Sequence, residues 1–350
     1  MTLNDGGPLN DSLAKAINNN CPNFDELAFW DGGTDKAFAA FFGGLNANMI
    51  RSFNAFHAQN IGPETILSLN NHSTSLRSLK LDGLVTDAIR HLSLLQGCIA
   101  IETLELRAID TRINLEETEN DIFEEIVAWL ISCVQLREIL LHSFFSGPAI
   151  LTRLCTSQNT RLLRLEVRGY ILRTAALFHE AISHQTSLES LTLRADNEDS
   201  SRDDVDHLLL SISQLSNLKE LDLSETSEEV FTNSDIKLIA SSLPELEELF
   251  VSGSDISDQI WPAISSLHNL RSLNILAQSS FTANGLLSYI WQLKPTNRGL
   301  SLWIGSQMSE HDLSEDQKTL IRESISEQVG GKFDFILYRE NESEYDSFSD

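Results

Sequence analysis

Leu218-Lys-Glu-Leu221-Asp-Leu223 and Leu246-Glu-Glu-Leu249-Phe-Val251 are two copies of one pattern, apolar at the first, fourth and sixth places. Outward from this pair the same spacing begins at Phe24, Ile50, Leu76, Ile101, Leu136, Leu162, Leu188, Leu270 and Asn297. Most steps are 24 to 28 residues; the step after Ile101 is 35 and the step after Leu188 is 30. A period in the twenties marks a solenoid, in which each unit buries its apolar side only by stacking on its neighbours. Leu76/Leu79/Leu81 and Leu188/Leu191/Leu193 keep the pattern cleanly, whereas Phe24/Leu27/Phe29 and Ile50/Phe53/Ala55 are rougher. The last unit, with Leu300 and Leu302 after Asn297, is degenerate, as terminal repeats usually are.

Between these short strands the apolar period lengthens from two to about 3.6, which predicts helices. Ile122, Ile126, Val127, Leu130 and Ile131 form one stripe with Asn120 as its N-cap, and Val205, Leu208, Leu209 and Ile212 form another after Asp203 and Asp204. Pro63 and Pro148 sit where helices should begin, because the first helical turn has no use for their missing amide proton. Each unit therefore reads strand, loop, helix, loop. The strands must run parallel, about 4.8 Å apart.

This resembles the leucine-rich repeat family, and within it the ribonuclease-inhibitor-like class with units of roughly 26 residues. The resemblance spans residues 12–338 and implies an α/β solenoid, a horseshoe with a parallel concave β-sheet and convex helices. Three residues after the sixth place the family often carries Asn or Cys; this chain has Leu84, Ile109, Phe144, Tyr170, Asp196 and Thr226 there. The irregular, acidic character is most similar to the repeat half of fungal F-box proteins. Residues 1–11 are expected to be a flexible N-terminus and residues 339–350 an acidic disordered tail, with a single repeat domain between them.

The chain carries a net charge of −26, concentrated in three stretches. Residues 113–125 hold six acidic and no basic side chains, residues 196–206 hold six against Arg202, and the tail holds five against Arg339. The first two coincide with the long steps, so the acid is expected in solvated insertions. Such acidity disfavours nucleic acid as a ligand. No apolar run is long enough for a membrane span and the start lacks the features of a signal peptide, so a cytoplasmic or nuclear location is expected. Cys21, Cys98 and Cys133 each stand three residues before a unit, the place of Leu215, Leu243 and Leu267 elsewhere, and Cys155 falls in a helix. All four are expected as buried reduced thiols, not metal ligands.

Side chains alternate along a strand, so the third, fifth and seventh places should face away from the core. The seventh place reads Trp30, Phe56, Asp82, Arg107, His142, Arg168, Arg194, Ser224, Ser252, Leu276 and Trp303. With Arg164 from the third place, Arg107, Arg164, Arg168 and Arg194 should cluster over four strands spanning about 15 Å. Trp30, Phe56, Leu140, Phe250 and Trp303 would be apolar anchors of the same surface. The arginines have two readings: cross-strand pairing with Glu105, Glu138 and Glu166, or bidentate capture of a carboxylate or phosphate. On the second, reversing Arg168 and Arg194 to Glu should weaken binding and leave stability unchanged. Arg107, His142, Arg164, Arg168, Arg194, Trp30, Phe56, Leu140, Phe250 and Trp303 are therefore the candidate partner-binding residues.

No constellation points to catalysis, a cofactor or a metal: the nine histidines are scattered and no glycine-rich phosphate loop occurs. The expected function is binding of a protein partner, with an acidic or phosphorylated segment the form the arginines suit. The family resemblance implies substrate recognition for a ubiquitin ligase and contact with ligase components; the alternative is a free-standing scaffold. Residues 1–23 are too short for an F-box, and the chain starts almost inside a unit, so a partner, a second copy or a preceding domain is expected to cover that end. Ser343 and Ser347 each lie three residues before an aspartate, a spacing that suits acidophilic kinases.

Overall fold

The computed structural model describes residues 1–109, 113–228, 230–306 and 312–337. The chain falls into two compact units, Met1–Asn217 and Leu218–Asp350, where the sequence reading expects one repeat domain. The first holds strands β1 (Thr2–Asp5), β2 (Glu26–Asp31), β3 (Ser52–Ala55), β4 (Ser78–Leu84), β5 (Thr103–Ala108), β6 (Glu138–His142), β7 (Arg164–Ile171) and β8 (Ser190–Asp196). The second holds β9 (Glu220–Asp222), β10 (Glu248–Ser257), β11 (Ser272–Ser280), β12 (Ser301–Ser306) and β13 (Lys332–Leu337). Within each unit neighbouring strands pair parallel in chain order, with helices between successive strands. Each unit is an α/β repeat stack of parallel strands alternating with helices.

Register follows the repeat. The fourth-place residues Leu79, Leu104, Ile139, Leu165 and Leu191 are successive Cα partners, and so are the sixth-place residues Leu81, Leu106, Leu141, Val167 and Leu193. All ten are buried. Each contributes about 1.5–3 kcal/mol of apolar burial, and a one-residue slip would turn the whole set into water, so the register is strongly specified. Near the start of the chain Phe replaces Leu: Phe29, Phe38, Phe41, Phe42 and Phe53 are fully buried, with neighbouring ring centroids 4.8 to 5.9 Å apart.

Helices form where the stripes predict them. The helix Asn120–Ser132 buries Phe123, Ile126, Val127, Trp129 and Leu130, with Ile122 and Ile131 half-buried at the edges of the stripe. Its N-cap is Glu119, not Asn120, and no side chain caps it. The helix Arg202–Ile212 starts with a capping box, Ser201 and Asp204 bonding each other's backbone amides. Pro63 and Pro148 lie in the first turns of the helices Pro63–Ser68 and Gly147–Cys155.

Several expectations change. Leu273 pairs with Leu302 and Ile275 with Ile304, so the unit expected from Asn297 starts two residues later, at Gly299. The apolar residue is missing from its first place, and the frame slipped onto Leu300 and Leu302. Asn297 lies in the turn before the strand, its amide donating to the carbonyls of Leu267 and Leu270 at 2.9 and 3.0 Å. A further unit follows, β13, whose Phe333 and Phe335 pair with Leu302 and Ile304. At the other end residues 2–5, expected to be flexible, pair with β2. The helix Asp11–Asn20 buries Ala14 and Ile17. The acidic insertions are built into structure: Glu119 accepts from Arg90 at 2.7 Å, Glu124 accepts from Arg153 at 2.9 Å, and Asp204 caps its own helix, where a negative charge meets the positive end of the helix dipole. The tail 339–350, with Ser343 and Ser347, lies outside the described residues.

Cys98, Cys133 and Cys155 are buried, but Cys21 is exposed, because it lies in the turn that ends the helix Asp11–Asn20, where Asn20, Pro22 and Asn23 are exposed as well. Burial pushes the thiols of Cys98, Cys133 and Cys155 up to about 12, which leaves almost no thiolate at neutral pH. Iodoacetamide at pH 8 is therefore expected to label the native protein at Cys21 alone and all four cysteines after unfolding. Native labelling at Cys98 or Cys155, read by peptide mass spectrometry, would show that those units open.

Candidate functional site

The register brings Asp82, Arg107, His142, Arg168 and Arg194 into one row across β4 to β8, each the Cα partner of the next. Lys80, Glu105, Leu140, Glu166 and Thr192 form the parallel row of fifth-place residues, and Ser78, Thr103, Glu138, Arg164 and Ser190 the row of third-place residues. Six of the ten expected site residues, Arg107, His142, Arg164, Arg168, Arg194 and Leu140, thus meet on one patch of sheet.

Its centre is Glu166, only 3% exposed. Oε1 accepts from Arg168 Nε at 2.6 Å and faces His142 Nε2 at 2.8 Å, while Oε2 accepts from Arg164 Nη2 at 3.2 Å. Burial alone would raise this carboxyl, but the hydrogen bonds from His142 and Arg164 and the charge of Arg168 outweigh it and hold the group at about 2. Glu166 therefore fixes two guanidinium groups whose side chains stay 46% (Arg164) and 39% (Arg168) exposed. An arginine has five N–H donors, so each keeps donors for a ligand. The pairing of Arg164 and Arg168 with Glu166 runs along β7, not across strands as the sequence suggests, and both guanidinium groups remain accessible. His142 and Leu140, expected as contact residues, are buried and belong to the support beneath the surface.

Beside this patch Lys80 pairs with Glu105 at 3.0 Å and Arg107 with Asp82 at 3.6 Å. With Asn54, Phe56 and Leu81 they line a cavity of about 210 Å³. Phe56 stacks on Trp30 at a centroid distance of 4.2 Å and 15° between planes, and Trp30 is 49% exposed, so these two act as one aromatic plate. In the second unit Phe250 and Trp303 are half-buried fifth-place residues flanking Asn274 on β11; Trp303 is not at the seventh place, because of the frame shift described above. The apolar candidates therefore divide between the two units.

Charge reversal at Arg168 is not silent in this geometry, contrary to the sequence expectation. A glutamate there would face buried Glu166, and Arg168→Glu is expected to cost about 2 kcal/mol in urea unfolding, against less than about 0.5 for Arg107→Gln at a weak exposed pair. Equal costs would show that Glu166 does not organise the patch.

Among the described residues no group of His, Cys, Asp and Glu could hold a metal ion, and no helix is long and apolar enough to cross a membrane. No protein-family model matches the chain. A sequence comparison with curated proteins finds no match. Among solved structures the chain is similar to TLR13 in the crystal structure of a TLR13–ssRNA13 complex, with 14% identity and a TM-score of 0.40 over 93% of this chain. The chain spans about half of that protein's chain, 51%.

Proposed function

We propose that the chain is a protein-interaction module that receives an acidic or phosphorylated protein segment on the open face of β4 to β8. The observation that carries this reading is the Glu166 hub: it holds Arg164 and Arg168 in place before any ligand arrives, so less side-chain entropy is lost on binding. Planar guanidinium groups suit carboxylate and phosphate better than any other anchor. The Trp30–Phe56 plate gives the same surface an apolar end for the bound segment. A protein of net charge −26 repels nucleic acid, which disfavours that class of ligand.

Within this reading the module serves as the substrate-recognition part of a fungal F-box-like ubiquitin ligase in cytoplasm or nucleus. A free-standing scaffold is the second reading: β1 and the helix Asp11–Asn20 occupy most of residues 1–23 and extend the repeat stack. Affinity isolation of the full-length protein separates the two, since a ligase subunit co-isolates with the ligase adaptor and a scaffold does not. Phosphorylation of Ser343 or Ser347 would add charge to the acidic tail on either reading, and mass spectrometry of the native protein with full tail coverage tests it.

A further inference from the structure

The 35-residue step after Ile101 does more than carry charge. It supplies a short helical turn, Leu115–Thr118, that belongs to no repeat and is fastened to the body of the first unit. Leu115 is fully buried, and the Ser146 hydroxyl, itself buried, accepts from the Leu115 amide at 2.9 Å and donates to the Ile113 carbonyl at 3.0 Å. This turn walls one side of a cavity of about 500 Å³ that reaches the end of β7 at Gly169, Tyr170 and Ile171.

The cavity has a dry floor, an apolar rim and an acidic wall. Tyr170, Ala175 and Phe178 form the floor and are buried. Phe145 and Leu177 also line it, yet they are 42% and 71% exposed, which is unusual for large apolar side chains gathered at one concavity. The wall carries Glu116 and Glu117, both exposed and without an ion-pair partner among the described residues. Among the described lining residues the one cation, Arg153, is taken by Glu124, which holds it through two oxygens at 2.9 and 3.2 Å, so the free charge of those residues is negative.

We propose that this cavity is a second docking site, which takes a protein segment presenting a bulky apolar side chain next to a lysine or arginine. The apolar side chain fills the space over Tyr170 and Phe178, between Phe145 and Leu177; the cation meets Glu116 and Glu117. The site is of opposite charge preference to the arginine patch. A volume of this size admits one large side chain with its backbone, which suits an anchor residue in a short linear segment.

A random peptide library displayed on phage and panned on the immobilised full-length chain tests this, with each selected peptide then synthesised and its affinity measured. Two variants at exposed positions, Leu177→Ser and Glu116→Lys with Glu117→Lys, serve as comparators, and their melting temperatures are checked against the parent. Enriched peptides should share an aromatic or branched apolar residue beside Lys or Arg, and should bind each variant at least about tenfold more weakly. Arg107→Gln, at an exposed pair on the open face, should leave their binding unchanged, which separates this site from the open face. Failure to enrich any peptide with this apolar-basic motif, or motif-bearing peptides that bind the lysine variant equally well, would each overturn the proposal.

Discussion

Phe42→Ala is expected to lower the stability of the first unit by about 3–5 kcal/mol. Phe42 is fully buried, packs edge-on against Phe53 at 4.8 Å and Phe41 at 5.4 Å, and lies near the fully buried His72. Its neighbours come from different repeats and from both strand and helix, so none can collapse into the vacated space without breaking the register of β2 on β3. In a solenoid the terminal units are the first to open, since only one side supports them. The loss should therefore appear as early unfolding of the N-terminal repeats, seen as rapid amide exchange in residues 26–55. Trp291→Ala makes the contrast: that side chain is just as aromatic but 68% exposed, and its removal should change stability by less than about 0.5 kcal/mol. A cost below about 1 kcal/mol for Phe42→Ala would mean that the phenylalanine cluster is not a packed core.

Acid should unfold the first unit in two stages. His179 is fully buried and its imidazole is pushed down to about 4 by that burial, from an ordinary value of 6.5. Between those values the unfolded chain binds a proton that the folded chain excludes, so stability falls as pH drops from about 6.5 towards 4, by up to about 3 kcal/mol. Glu166 acts in a lower window. Its folded value is about 2 against an ordinary 4.5, so its stabilising pairing is complete above about pH 4.5 and is lost as pH falls towards 2. His179→Gln should shrink the fall in the first window, part of which remains because buried His72 is also held below its ordinary value, and Glu166→Gln should remove the second together with about 2–3 kcal/mol at neutral pH. Urea unfolding followed from pH 7.5 to 3 measures both. A curve flat down to pH 4.5 would show that His179 is not held neutral by burial.

The strands were legible because six-residue spacing and alternation are properties of the backbone: Leu79, Leu104 and Ile139 had to share a face once the strands were parallel. The ends were less legible. β13 has no leucine at its first place, and Gly330 and Gly331 hide the alternation of Phe333 and Phe335, which was its one signal. β1 carries no core pattern at all; it pairs through backbone groups, among them the Gly6 amide donating to the Asp31 carbonyl at 2.6 Å. Within the arginine patch, position alone indicated the rows but not depth. His142 and Leu140 occupy outward places, yet Glu166 draws Arg164 and Arg168 over the sheet and His142 is buried against it. The cavity at Phe145 and Leu177 had no sequence signal beyond the long step, because its wall is an insertion outside the repeat.

The most direct test of the open-face reading is site-specific photo-crosslinking in the native cells. Benzoylphenylalanine is placed at Thr103 or Thr192, half-buried residues beside the arginines on β5 and β8, or at Leu67, a helix-side residue that is 58% exposed. Covalent adducts with a protein should form from Thr103 and Thr192, not from Leu67, and should disappear when Arg107→Glu and Arg164→Glu are added. Adducts from Leu67 alone, or adducts from Thr192 that survive both charge reversals, would contradict the assignment of partner binding to the arginine patch.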